Sequence, residues 1–138
     1  MNADSKPSGP EKFMCARRAA EYIQRRLQDF LLEEREFPVL ISVAGARGKV
    51  KKSLLHILMS KIESIAVQNA AYLEDNGPNF QNLDKKFLII NEIDHIRVDL
   101  VEYGQRTADF IVYVRTTERM QDIRGRIDVL LDTTPGHG

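Results

Sequence analysis

The chain has 138 residues, 43% of them hydrophobic and 29% charged, with 20 Lys plus Arg set against 20 Asp plus Glu. These are the proportions of one ordinary globular domain with a real core, and the balanced charge removes any general electrostatic case for nucleic acid or an anionic membrane as partner. The single Cys15 excludes an internal disulfide and suits a reducing compartment. No apolar run approaches the about 20 residues of a membrane span, and the polar N-terminus has no signal-peptide core, so the expected location is cytoplasmic.

Residues 1–10 are Ser, Pro, Gly and charge with nothing to bury, which predicts a disordered tail before a single domain over 11–138. From Phe13, apolar residues recur at spacings of three and four (Ala16, Ala20, Ile23, Leu27, Phe30, Leu31), predicting an amphipathic helix over 13–35. Arg17, Arg18, Arg25 and Arg26 fall mainly on the other face, as a solvated surface or an anionic-ligand patch. Pro38 ends the helix and opens a strand, Val39 to Val43. A second helical pattern carries Leu54, Leu55, Leu58 and Ile62 on one face, and Ile65 to Val67 reads as a short strand.

Leu73 to Asp84 is polar and turn-rich, a surface loop. The unalternated runs Phe87–Ile90 and Phe110–Val114 predict strands buried on both faces, parallel neighbours of the 39–43 strand. Helices are expected over Val98–Arg106 and Met120–Leu131, with an irregular tail from Asp132. Strands alternating with helices argue for an α/β fold around a parallel sheet.

Chemistry concentrates where the 39–43 strand meets the second helix, at Ala44-Gly45-Ala46-Arg47-Gly48-Lys49-Val50. Strand, glycine turn, Lys, helix is the layout of a phosphate-binding loop. Its amides and helix N-terminus favour an anion, and the Lys reaches the outer phosphates. Gly45, Arg47, Gly48, Lys49 and Val50 are therefore the candidate nucleotide-binding residues. Two departures damage the pattern. Val50 stands where a Ser or Thr would bind Mg²⁺, and Val43 stands where the longer loop has its first Gly. Lys51 and Lys52 add charge that would partly replace a metal, or would only solvate the helix. Glu92, just past the end of the 87–90 strand, is the candidate metal residue, since an acid beside a phosphate loop holds Mg²⁺ directly or through water. A polar strand end facing solvent has the same sequence, and both readings stand. His56, His95 and His137 make no metal-ligand spacing, which argues against zinc.

In order along the chain, these pieces resemble the Mur-ligase-type ATPases, most of all the ligase subunit of poly-γ-glutamate (capsule) synthase. Phe37 to Lys49 resembles that family's hydrophobic strand and Gly-x-Arg-Gly-Lys loop, and Gly77-Pro78-Asn79 resembles a Gly-Pro-Asn in its next long loop. Leu88 to Glu92 resembles the strand ending in a metal-associated Glu. Ile111 to Gly125 resembles a strand followed by an Asp-His segment, matching at Val114, Glu118, Met120, Asp122 and Gly125. Leu131 to Gly138 is similar to a Thr-Ile-Pro-x-x-Gly turn. The resemblance spans about residues 37–138.

It implies a three-layer parallel sheet of phosphate-loop topology, ATP as cofactor, and ligation through an acyl phosphate attacked by an amine. The departures fall on that chemistry. The loop hydroxyl is Val50, and the metal-associated His is Arg119, which would repel Mg²⁺. The segment carrying the amino-acid site of such ligases has no counterpart in this sequence, so the expected domain is incomplete. The resemblance thus implies a truncated, non-catalytic relative, weakly nucleotide- or phosphate-binding, with homo-oligomers or synthase-complex subunits as partners. The alternatives are a ligase or ATPase completed by a partner chain, and a small phosphate-loop kinase or GTPase. The missing Asn-Lys-x-Asp guanine motif counts against the GTPase.

Overall fold

The computed structural model describes residues 10–34, 38–45, 48–69, 84–91, 102–103, 106–116 and 126–133. Within them the protein is α/β. Six strands form one all-parallel sheet: β1 (Glu11–Phe13), β2 (Val39–Gly45), β3 (Ile65–Asn69), β4 (Phe87–Asn91), β7 (Phe110–Arg115) and β8 (Val129–Asp132). Two helices accompany it, α1 (Ala16–Phe30) and α2 (Lys49–Lys61), with a separate two-stranded antiparallel pair, β5 (Glu102–Tyr103) and β6 (Arg106–Thr107).

The sheet order is β1-β8-β7-β2-β4-β3. As the unalternated runs predict, β2 lies between β4 and β7, and its seven residues are all buried. Alternate residues divide between the two faces. Val39, Ile41, Val43, Phe87, Ile89, Val112 and Val114 pack with Ala19, Ala20, Ile23 and Leu27 of α1 and Leu54 and Leu58 of α2. Ala44, Ile111, Tyr113 and Leu130 form a second cluster on the opposite face. The connections β1–α1–β2 and β2–α2–β3 run in the same direction across the sheet. Right-handed crossovers in one direction put both helices on one face, where α1 and α2 do pack together.

The amino ends of the central strands share a polar device. Asp109 Oδ2 accepts the Leu40 N–H at 2.9 Å while the Asp109 N–H donates to the Leu40 carbonyl at 2.8 Å. Asp128 repeats the arrangement on Ile111, at 2.8 and 2.9 Å, and Arg126 sits 3.4 Å from its carboxylate. Each carboxylate satisfies a strand-entry amide that the ladder leaves without a partner. Asp109→Ala is expected to lower stability by about 1–3 kcal/mol in urea unfolding, because the Leu40 amide sits on a buried residue. Asp109→Asn, which keeps an acceptor, is expected to lose less. Equal losses in the two variants would show that the acceptor is not what matters.

Four expectations need correction. The first helix spans Ala16–Phe30 and not 13–35: Glu11–Phe13 pairs with Val129–Leu131 as the edge strand β1, and the chain leaves the helix at Leu31. Its capping residue, Cys15, has an exposed thiol that the backbone N–H groups of Arg18 and Arg17 hold below the usual thiol range. Leu31 is not on the buried face; it is 39% exposed, just past the helix end. In the expected 98–106 helix, Glu102–Tyr103 instead pairs antiparallel with Arg106–Thr107, and a Gly in the sequence at 104 disfavours a helix interior. In the expected 120–131 helix, Val129–Leu131 is strand, paired in parallel with Val112–Val114 of β7 and buried. Residues 126–128 are not helical either, and residues 1–9 of the predicted tail, 98–101, 104–105, 120–125, the 73–83 part of the predicted loop and the tail from residue 134 lie outside the described residues.

Candidate functional site

The topology itself marks one place. From β2 the chain crosses through α2 to β3 at one edge, returns to β4, then passes back over β2 to β7. The connection leaving β2 thus runs toward the β3 edge, whereas those leaving its neighbours β4 and β7 run the other way, so the direction of the connections reverses on either side of β2. In open α/β sheets a ligand crevice lies outside the carboxyl ends of the strands where that reversal occurs. The carboxyl end of β2 is Gly45, and α2 begins at Lys49.

Two glycines build the turn between them. Gly45 has φ 113° and Gly48, the residue preceding the helix, has φ 149°, both in the region that side chains avoid. At Gly45 a Cβ would collide with the Val114 carbonyl oxygen, with the Val114 carbonyl carbon and amide nitrogen also only 2.9 Å away. The end of β2 thus lies directly against the β7 backbone, in the register Gly45↔Val114. At Gly48 the corresponding direction is open, with nothing among the described residues within 4 Å. The first turn of α2 carries no acidic residue and no side-chain cap. Its leading amides are the donors a helix start leaves without intrahelical partners, and its dipole adds roughly half a positive charge there.

The lysines divide in a way that the loop pattern did not predict. Lys49, assigned by sequence to the phosphates, is exposed. Lys51 is 4% exposed, and its Nζ lies 3.5 Å from the Gly45 carbonyl oxygen. The buried ammonium is therefore two residues further on, folded back against the end of β2. A sequence signal for this existed: Lys51, Leu54 and Leu58 follow the three-and-four spacing of one helical face, and all three are buried. Lys52 is exposed and Val50 is half-buried against the core.

One strand away, β4 ends in Asn91, in register with Val43 of β2 and Asn69 of β3. Asn91 Nδ2 donates to Asn69 Oδ1 at 3.1 Å, which leaves Asn91 Oδ1 buried with no hydrogen-bond partner among the described residues. On the other side, at the end of β7, Arg115 pairs with Asp132 at 3.4 Å. Gly45 ends β2, Gly48 precedes α2, and Lys49 and Val50 open that helix, Val50 packing against the core. Arg47, Glu92 and Arg119 lie outside the described residues.

The described donors of this turn suit an anion. Glycine amides, a helix N-terminus and a buried ammonium all favour negative charge. Mg²⁺ asks for hard oxygen donors. Val50 offers none, Lys51 places a positive charge beside the turn, and among the described residues no three His, Cys, Asp or Glu side chains converge. The described residues of this turn therefore do not fit Mg²⁺. No helix among the described residues is long and apolar enough to cross a membrane. In comparisons with protein-family models, curated proteins and solved structures, nothing matched the chain.

Proposed function

We propose that the chain is a degenerate relative of the Mur-type amide ligases that binds phosphate, free or as the phosphate end of a nucleotide such as ATP, at the Gly45–Lys51 turn, and that does not ligate by itself. One observation carries the reading. At the carboxyl end of β2, whose outgoing connection runs opposite to those of both neighbouring strands, two positive-φ glycines, the start of a 13-residue helix and a buried lysine ammonium meet within one turn. Each favours an anion, and together they form the kind of cradle in which phosphate groups are held without a base-specific contact. The resemblance of residues 37–138 to poly-γ-glutamate synthase ligase subunits gives the reading its family. A parallel sheet with its glycine turn after a central strand agrees with that assignment at the level of fold class.

The same residues argue for binding without turnover. Transfer of a phosphoryl group needs a cation bridging the outer phosphate oxygens as charge develops. Val50 removes the hydroxyl that would orient such a metal, and Lys51, though positive, is fixed against Gly45. We therefore expect binding that depends on salt and not on Mg²⁺. In calorimetric titration at low ionic strength, inorganic phosphate and ATP should bind weakly, with affinity falling as salt is raised through the range where the Debye length shrinks to about 10 Å. Adding Mg²⁺ should not tighten ATP, and ATP hydrolysis should stay at background. Steady Mg²⁺-dependent hydrolysis that Lys49→Ala abolishes would replace this reading with that of an active ATPase or ligase. Absence of any binding at low salt would remove the site.

A further inference from the structure

Away from the turn, the face of the sheet opposite α1 and α2 contains a polar row where apolar side chains would be expected. Ser42 of β2 alternates with Ile41 and Val43, which pack toward the helices, so its side chain lies on the other face. Ser42 is in register with Ile90 of β4, and Ile90 with Gln68 of β3. Laterally paired residues of parallel strands share a face, so Ser42, Ile90 and Gln68 form one row. All three are buried, at 0%, 1% and 7% exposure. Ser42 Oγ and both amide atoms of Gln68, Oε1 and Nε2, have no hydrogen-bond partner among the described residues. Because both ends of the Gln68 amide are affected, exchanging its oxygen and nitrogen would change nothing.

Native proteins pair the great majority of their buried polar groups. Three orphaned atoms in one short row therefore mark places where a further polar group belongs. We propose that this row is an internal hydration site, with ordered water held at Ser42 on one side of Ile90 and at Gln68 on the other. Both groups are neutral, and each offers donors together with acceptors. That combination suits water, which gives and takes hydrogen bonds, and does not suit an ion, which would be desolvated there without a counter-charge. Ile90, buried between them, divides the row into two separate water positions. The inference does not depend on the anion reading of the glycine turn.

Water–protein NOE spectroscopy on the full chain tests it directly. Long-lived water should give cross-peaks to the Gln68 side-chain amide and to the Ser42 backbone amide. Removing a group that holds such water should also cost stability, so Gln68→Met and Ser42→Ala are each expected to lower Tm by about 3–6 °C. If the polar atoms are simply orphaned, the near-isosteric Gln68→Met relieves the cost of burying them, and Tm stays level or rises. That result, or a wild-type spectrum without long-lived water at both residues, overturns the proposal. Should a variant fail to fold, the wild-type spectrum decides alone.

Discussion

Gly45→Ala should be among the most damaging single substitutions in the chain, with an expected loss of roughly 3 kcal/mol or more of folding stability. Two penalties coincide at this position. The backbone holds φ 113°, which a residue with a Cβ adopts only under strain. The added methyl would also meet the carbonyl oxygen of Val114, which is backbone in a central strand and cannot rotate away. Relief would require β2 to separate from β7 at the last ladder position, exactly where the candidate site is formed. Against a typical total of about 5–15 kcal/mol, such a loss leaves a markedly less stable and poorly accumulating protein. Gly48→Ala makes the useful comparison. Its φ of 149° carries a strain cost, but among the described residues no atom stands within 4 Å of the new methyl. It should therefore be the milder of the two, by urea unfolding of both variants. If Gly45→Ala is as stable as the parent, the close β2–β7 approach described above is wrong.

The second large effect is expected at Phe110, the first residue of β7. The residue is 1% exposed, and its ring meets that of Phe30 edge to face, with centroids 6.4 Å apart and planes at 85°. The Arg26 guanidinium lies 5.4 Å from the same ring, itself donating to the Tyr22 hydroxyl at 2.6 Å. Phe110 thus ties the C-terminal half of α1 to the centre of the sheet. Truncation to Ala removes the buried ring and leaves a cavity, a change that costs about 3–5 kcal/mol in well-packed cores. Phe110→Leu should recover much of it, since most of the volume returns. A loss under about 1 kcal/mol for Phe110→Ala would show that α1 does not pack on this ring.

Both predictions bear on how far the sequence discloses the fold. The three central strands are plain in it because two-sided burial favours apolar residues throughout: β2, β4 and β7 are apolar runs apart from Ser42 and the terminal Asn91 and Arg115. The outer strands are not plain. β1 has three residues and β8 four, and neither has a pattern of its own. Glu11–Phe13 becomes a strand only because Val129–Leu131 is there to pair with it, a partner 118 positions away in register. Phe13 meanwhile fits the spacing of the helix that follows, so local periodicity extends α1 too far. The β5–β6 pair was hidden in the same way, by residues a helix also tolerates.

The site was legible in part for similar reasons. Gly45 and Gly48 stand out because a turn needs them, and the structure gives both a positive φ. Which lysine is buried could not be read from the Gly-Lys pattern, since that pattern describes a loop and Lys51 is placed by the helix. Its face is set by Leu54 and Leu58, which pack into the core and carry Lys51 round toward Gly45. Polar residues on helical apolar positions are easily taken for solvent-facing ones, whereas here the same spacing directs a charge inward.

Amide chemical-shift mapping with inorganic phosphate at low salt tests the central claim most directly. The account predicts saturable shifts in the millimolar range that centre on Gly45 and on Gly48 through Lys52, shrink as salt is added and do not require Mg²⁺. Shifts scattered over the arginine-bearing face of α1, or none anywhere at the same concentrations, would contradict it.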